Sequence, residues 1–332
     1  MEGSPIFRNS GLRVEGAATG SAWLPASNDD VVSIAEVADW RLSDAAFLAV
    51  FRLPTKTGEG HLARANPFPR EERVSFDADP HKYTIDGVVA PRSVTGLLHT
   101  YAEPFNPARA VASMRAGKNW EERRAELEVL GVDTDCDEDI ERYWRLAGQV
   151  ARARGTLLHF HAEQVVNSRR IEEPHSPEFK QLRKILHDFN NRGWTLYRAE
   201  VSIFHCGLRC AGQPDLICKD TDGCLVLIDW KRIPKLSFDN LYDTLRYPLQ
   251  HLPNSSYWLY ALQLNAYRFV LEAEYAMSVA GMWLGLIHPH LVAPRLVEVP
   301  RMENEMEALL EHEIVSGRAT PSMPLDALFT II

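Results

Sequence analysis

Two short stretches, Gln213-Pro214-Asp215 and Asp229-Trp230-Lys231, hold the residue types that hydrolysis of phosphate esters needs. Two hard carboxylate oxygens, completed by water and phosphate, are the ligands Mg²⁺ prefers. A lysine two residues beyond the second carboxylate points to the same side of a strand, because side chains alternate with a period of two. There it can orient or deprotonate an attacking water and stabilise the charge that builds on a phosphate. The plain alternative is an Asp–Lys pair on a hairpin surface. The apolar approach to Asp229 and the proline directly before Asp215 count against it.

The elements around these stretches must bring them together. Glu200-Val201-Ser202-Ile203-Phe204 reads as one strand and the run from Leu208 to Cys218 as a second. Asp220-Thr221-Asp222-Gly223 is a hairpin turn, since Gly supplies a positive φ and the Asp side chains cap the bend. Cys224 to Asp229 is a third strand, nearly continuously apolar and so buried on both faces. Pairing through the turn carries Asp215 and Asp229 to one sheet edge. Downstream, Leu259, Leu262, Ala266, Phe269, Val270 and Ala273 recur at helical spacing. Met282 to His288 and Leu296 to Val299 supply two more strands. Three antiparallel strands, a helix and a returning strand make an α/β sheet with helices on its faces. Upstream, Tyr83 to Val88 reads as strand, Asp-Gly turn and strand. Ser93 heads a helix that starts at Val94, and a long helical region then runs to about Asn167. One helix is expected near Val31 to Leu53 in an otherwise turn-rich beginning.

The chain has 332 residues, 45% hydrophobic and 24% charged, with a net charge of −9. That length fits about two domains, or one large core with an appended segment. The composition excludes collagen, coiled coil and wholesale disorder. Apolar runs such as Val279 to Ile287 fall short of the ~20 residues of a membrane span, so no membrane partner is expected. Five cysteines do not make a disulfide framework and point to a reducing, intracellular compartment. The first residues lack the sustained Arg-rich pattern of a transit peptide, and targeting stays undecided.

An acidic balance ordinarily argues against nucleic acid, because phosphate binding rests on Lys and Arg. The distribution changes that reading. Glu121 to Glu141 holds ten acids against Arg123 and Arg124, a local charge of −8, so the rest of the chain carries only −1. Its Asp133-Thr134-Asp135-Cys136-Asp137 run reads as a solvated loop. As a calcium loop it has Glu138 where Gly is required and Trp144 where a bidentate Glu belongs. Arg142, Arg145, Arg152 and Arg154 then follow with no acid before His159. A second cationic stretch sets Lys180, Arg183, Lys184, Arg192 and Arg198 against Asp188 alone.

Pro214-Asp215 followed by Asp229-x-Lys231 resembles the PD-(D/E)XK nuclease superfamily. Gly155-Thr156-Leu157-Leu158-His159 and Gln263-Leu264-Asn265-Ala266-Tyr267 are similar to the Gly-x-x-x-His and Gln-x-x-x-Tyr of its RecB-like exonuclease branch. With Arg92-Ser93-Val94-Thr95 and Ile228-Asp229-Trp230-Lys231, the order of motifs over residues 74–290 looks most like the mitochondrial genome maintenance exonuclease family and its viral and phage relatives. Pro214 departs from the mitochondrial pattern and matches the superfamily at large.

The resemblance implies a PD-(D/E)XK, restriction-endonuclease-like α/β core with a mixed central sheet flanked by helices. It divides the chain into an N-terminal extension (1–73), a helical DNA-contacting region with the acidic insert (74–150), the nuclease core (151–300) and a C-terminal helix and tail (301–332). Asp215, Asp229, the main-chain carbonyl of Trp230 and His159 would bind Mg²⁺ or Mn²⁺, and Lys231 would act on the attacking water. Glu200, on the adjacent strand, would bind a second ion or a water; a strand-edge Glu is the alternative. Gln263 and Tyr267, one helical turn apart, would position the lysine and the DNA strand, with core packing the alternative for Tyr267. Ser93 and Thr95 would hold a phosphate at a helix N-terminus or simply cap that helix. Arg152 and Arg154 would meet DNA.

Many RecB-like relatives carry an iron–sulfur cluster on one cysteine before the core and a close group after it. Here Cys206, Cys210, Cys218 and Cys224 lie inside the core strands, so no such cluster is expected. No Gly-x-x-x-x-Gly-Lys-Ser/Thr loop is present, so no nucleoside triphosphate is expected as a partner. The expected activity is a metal-dependent deoxyribonuclease, an exonuclease on single strands or ends. A structure-specific endonuclease or a non-catalytic DNA-binding or scaffolding subunit is the alternative, and the intact ligand set speaks against the last.

Overall fold

Leu225-Val226-Leu227-Ile228 is an unbroken apolar run, and it lies at the centre of a five-stranded sheet with both its faces buried. The structure, a computed structural model, describes residues 60–320 except 79 and 172–175, together with 31–32, 47–48 and 51. The apolar run belongs to β11 (Leu225–Arg232). It sits between β10 (Leu216–Lys219), which it pairs antiparallel, and β12 (Val279–Ile287), which it pairs parallel. β7 (Thr195–Ala199) and β13 (Arg295–Glu298) close the two edges, both antiparallel to their neighbours. The expected mixed sheet is present. Its parallel pair needs a crossover, supplied by α7 (Ser256–Tyr275).

The β10–β11 turn follows the sequence expectation. Asp220 Oδ1 accepts the N–H groups of Asp222 (3.0 Å) and Cys224 (2.9 Å), and Gly223 takes a φ of 82°. On one face of the sheet, α5 (Asp137–Val166) and α6 (Pro177–Asn191) bury Leu158, Leu182 and Phe189 against Ile228 and Trp230. On the other, α7 packs Leu262, Leu264 and Leu271 toward Leu227 and Leu284, backed by α2 (Val94–His99) and α8 (Glu303–Val315). Each fully buried Leu contributes about 1.5–3 kcal/mol. No described helix is both long and apolar enough to cross a membrane.

Two of the expected strands are broken, and the breaks matter. The run from Leu208 to Cys218 splits into β9 (Cys210–Gly212) and β10, separated by Gln213-Pro214-Asp215. Pro214 has no N–H to give to a ladder. β9 belongs to a second sheet, ordered β5 (Arg92–Ser93), β9, β8 (Ile203–His205). The expected strand over 200–204 also fails: β7 ends at Ala199, and Glu200 adopts a φ of 50° before β8 begins. Glu200 is therefore not a strand residue. The two breaks face each other, since Glu200 N–H donates to the Asp215 carbonyl (3.2 Å) and Gln213 Nε2 donates to the Glu200 carbonyl (3.1 Å). The chain leaves one sheet for the other, and returns, at this one junction.

Upstream, β2 (Val74–Asp77), β3 (Lys82–Ile85) and β4 (Val88–Val89) form a meander. Asp86 and Gly87 make its expected two-residue turn, both at positive φ. The long helical region is three helices rather than one: α3 (Pro107–Arg115), α4 (Trp120–Val129) and α5. Gly131, at φ 77°, closes the end of α4 in the conformation that favours glycine. The short α1 (His61–Ala65) packs beside β7. Val31–Val32 (β1) pairs in parallel with Arg170–Ile171 (β6), so the start of the helix expected over 31–53 is strand; Phe47 and Leu48 are helical, and the rest lies outside the described residues.

Candidate active site

The junction between the sheets collects the polar residues. His159 projects from α5, and its Nδ1 lies 3.2 Å from Asp215 Oδ1. Asp215 Oδ2 accepts the backbone N–H of Trp230 at 2.6 Å. N–H and C=O of a strand residue face the same edge, so the Trp230 carbonyl is turned toward Asp215 as well. Glu200, swung out by its positive φ, completes a group in which one atom each of His159, Glu200 and Asp215 lies within 4.8 Å of the others.

Beside this group runs a second file. Asp229 Oδ2 is 2.6 Å from Lys231 Nζ, and the ammonium donates to Gln263 Oε1 (3.1 Å) while resting 4.4 Å above the Tyr260 ring. Gln263 Nε2 donates to Thr95 Oγ1 (3.0 Å) and to the Tyr267 hydroxyl (3.1 Å). Tyr267 reaches this position across Gly212, where any Cβ would stand 2.6 Å from its ring. On the other face Trp230 likewise packs onto Gly285, with 2.4 Å left for a Cβ.

The burial of so many charges perturbs them. Burial works to lower the His159 pKa, but the Asp215 and Glu200 carboxylates outweigh it and push the imidazole up to about 9. Asp215 is held below the usual carboxylate range: burial opposes ionisation, and His159, Lys231 and the Trp230 N–H override it. Asp229 goes the other way, pushed up to about 6 by burial and the neighbouring Asp215 charge in spite of Lys231. Lys231 is raised, its two aspartates outweighing burial. Burial alone dominates the large rise at Tyr267. Two carboxylates driven apart in this way mark a site where they hold different roles.

His159, Glu200 and Asp215 thus stand together, and Asp229 borders them, engaged with Lys231. Gln263, Thr95 and Tyr267 support that lysine. Ser93 caps α2, its hydroxyl accepting the Gly96 N–H at 2.9 Å. Arg152 is exposed on α5, two turns before His159 on the same face. Arg154 instead packs 4.2 Å over the Phe47 ring. The sequence reading missed Tyr260, Gln213, Ser202 and Tyr83. Gln213 donates to Ser202 Oγ (3.1 Å) and lies 3.5 Å from the Tyr83 hydroxyl, bracing the loop that carries Asp215. Tyr260 stands three residues before Gln263 on one helix face, a spacing that could have found it.

Two sheets that meet at a carboxylate-bearing break, with an acid and a lysine on the central strand of the larger one, agree with a nuclease core. The sequence profile of the PD-(D/E)XK nuclease superfamily matches residues 97–322, and the chain belongs to that superfamily. Among solved structures, the protein SSO0001 is similar at 20% identity and a TM-score of 0.26, over 58% of this chain and 76% of its own. A candidate exonuclease from Eubacterium rectale is similar at 12% identity and a TM-score of 0.28, over 55% of this chain and 66% of its own. No curated protein matches the chain.

Proposed function

We propose that the protein is a Mg²⁺- or Mn²⁺-dependent deoxyribonuclease of the RecB-like branch, an exonuclease acting on single-stranded DNA or DNA ends in DNA processing, repair or replication. The observation that carries this reading is the convergence of His159, Glu200 and Asp215 beside the Asp229–Lys231 pair, at the junction between the two sheets. The order of Gly155 to His159 and Gln263 to Tyr267 along the chain supports the branch.

The residues fit a divalent ion. Asp229 Oδ2 is buried with no hydrogen-bond partner of proper geometry among the described residues, and the Lys231 ammonium lies 2.6 Å from it. An oxygen-rich donor set with one imidazole suits Mg²⁺ or Mn²⁺. Asp215, Asp229, His159 and the Trp230 carbonyl would hold it, with Glu200 placed for a second ion or a water. Such an ion supplies Lewis acidity and neutralises charge on the phosphate.

The chain's own groups do the rest. Lys231, fixed between Asp229, Gln263 and the Tyr260 ring, orients the attacking water and faces the charge that develops on the phosphate. Gln263 holds the lysine through one end of its amide and is itself held by Thr95 and Tyr267 through the other. Arg152 lies on the approach to His159 and binds the DNA backbone.

Purified protein with Mg²⁺ or Mn²⁺ is expected to degrade end-labelled single-stranded DNA, and Lys231→Ala and Asp229→Ala are expected not to. Equal activity in all three overturns the assignment. A circular single strand stays intact if the enzyme needs an end, and its cleavage makes the protein an endonuclease.

A further inference from the structure

The segment between β11 and α7, residues 233–255, leaves the site directly after Lys231, and α7 returns to it at Tyr260 and Gln263. It is firmly anchored. Leu245, Leu249 and Leu252 are buried in the core. Trp258 Nε1 donates to the Phe238 carbonyl (3.1 Å), Arg246 N–H to the Tyr101 carbonyl (2.7 Å) and Asn254 Nδ2 to the Glu103 carbonyl (3.1 Å).

Yet this fixed segment presents large apolar side chains to solvent. Leu241 is 92% and Tyr242 70% exposed, and across from them Phe105 is 71% exposed, its ring edge-on to Trp144 at 5.9 Å. Single exposed apolar residues are ordinary on any surface. These differ because two ion pairs clamp the segments that bear them: Arg109 on Asp243, and Arg246 on Glu103 at 2.8 and 3.0 Å.

Each clamp also cancels one nearby negative charge. The carboxylates of Asp243 and Glu103, which would repel a phosphate, are each neutralised by a guanidinium. Both guanidiniums stay about half exposed, 52% for Arg109 and 48% for Arg246, and each has N–H donors beyond those its carboxylate takes. Exposed rings borne on anchored segments and interleaved with guanidiniums are what single-stranded nucleic acid binds: every base has a face to stack, and the phosphates between bases meet the cations. A duplex, whose bases are already stacked on one another, gains nothing from the rings.

We infer that Phe105 and Tyr242, flanked by Arg109 and Arg246, form a stacking platform for the bases of a single strand that runs on to the Lys231 site. The inference rests on the nuclease reading and adds to it where the uncut part of the strand lies. The protein distinguishes strand from duplex here, before the metal-ligating residues are reached.

The test uses the full chain and a fluorescein-labelled single strand in EDTA, so that nothing is cut. Phe105→Ala and Tyr242→Ala are each expected to weaken binding about tenfold, and the double variant about a hundredfold. Phe105→Tyr and Tyr242→Phe, which keep the rings, are expected to bind as the wild type does. Abasic strands should bind the wild type more weakly and lose nothing further in the double variant, and duplex binding should be unchanged. Variants that bind the strand like wild type overturn the platform and leave the patch to a protein partner. An equal loss on abasic strands or on duplex overturns it too.

The two readings fail separately. With Mg²⁺, a protein that cuts DNA while its ring variants bind and cut normally keeps the nuclease reading and loses the platform. Ring-dependent strand binding with no cleavage keeps the platform and loses the nuclease. DNA and RNA strands run side by side show whether the sugar matters at the rings.

Discussion

Asp229 and Glu313 are both buried acids, and their surroundings could hardly differ more. Glu313, on α8, meets Arg92 at 2.6 Å, Arg318 at 3.0 Å and the Tyr101 hydroxyl, so both of its oxygens are occupied. Burial opposes its ionisation, but these donors hold its pKa below the ordinary value of 4.5. Asp229 has one ammonium against one of its oxygens and a second carboxylate beside it, and its pKa is pushed upward. A fully satisfied buried network fixes a structure, and an unsatisfied one in the same protein marks where function has been placed at the expense of stability.

The contrast is broken most directly by exchanging the roles through mutation. Lys231→Ala and Asp215→Asn are expected to lower the cleavage rate about 10³-fold or more, by removing a group aimed at developing charge. Lys231→Ala also leaves Asp229 without its buried cation, so the rates are compared on protein shown to be folded. Glu313→Gln, measured in the same assay, should keep the rate within a few-fold. A Glu313 variant that loses activity while fully folded would erase the distinction.

Stability should divide the same two residues in the opposite sense. Glu313→Ala leaves Arg92 without its partner at the joint between α8 and β5, and breaking such a buried pair costs about 3 kcal/mol. At about 2 °C per kcal/mol for a chain of this size, thermal unfolding should move down by roughly 6 °C. Asp229→Asn, which removes one of two crowded carboxylates, should unfold no sooner than the wild type in EDTA. Adding Mg²⁺ or Mn²⁺ at about a hundred times its dissociation constant should stabilise the wild type by about 2.7 kcal/mol. That gain should vanish in Asp215→Asn and persist in Glu313→Gln.

The two acids were not equally legible in the sequence. Asp229 announces itself through an apolar strand that ends in Asp-x-Lys, and the turn at Asp220 to Gly223 fixes its partner strand by local chemistry alone. Ser93 as a cap was readable for the same reason, since the capping hydroxyl and the N–H it accepts are three residues apart. Glu313 was not, because its partner Arg92 is 221 residues away and α8 carries acids on several faces. The breaks at Glu200 and Gln213-Pro214 were missed for another reason. A positive φ at a glutamate is uncommon and has no signature in composition, and Pro214 was read as part of a motif when its missing N–H also ends a ladder. The metal-ligand group depends on both breaks: the resemblance names Glu200 as a ligand for a second ion or a water, and the positive φ that brings it to His159 and Asp215 belongs to the fold.

Acid titration sharpens the comparison further. The folded-state pKa of Glu313 lies below its unfolded value, so the unfolded chain takes up the proton first as pH falls. Its contribution is complete above about pH 4.5 and is lost as pH drops through the folded value. His161 and His288 add to the same limb: burial holds both down to about 4, so the unfolded chain protonates them from about pH 6.5 downward. Glu313→Gln should flatten the limb below pH 4.5 in an unfolding series and leave the part between 6.5 and 4.5, where the two histidines and, with opposite sign, Asp229 titrate.

The smallest expected effect concerns the surface rather than the interior. Arg152 is exposed on the face of α5 that ends at His159, and the −8 of residues 121–141 lies on α4, the loop after it and the first turn of α5. If the phosphate track is the Arg152 face, Arg152→Gln should weaken binding of single-stranded DNA a few-fold. The slope of log K against log salt should become shallower by about 0.7, the value for one phosphate contact on a single strand. Neutralising Glu121 and Glu122 should alter neither quantity beyond what screening at roughly 10 Å allows in 0.1 M salt. Arg154→Gln separates a contact with DNA from a contact with the protein: its guanidinium already lies on Phe47, so a change in melting temperature with an unaltered salt slope assigns it to the fold and leaves Arg152 as the residue that meets the strand.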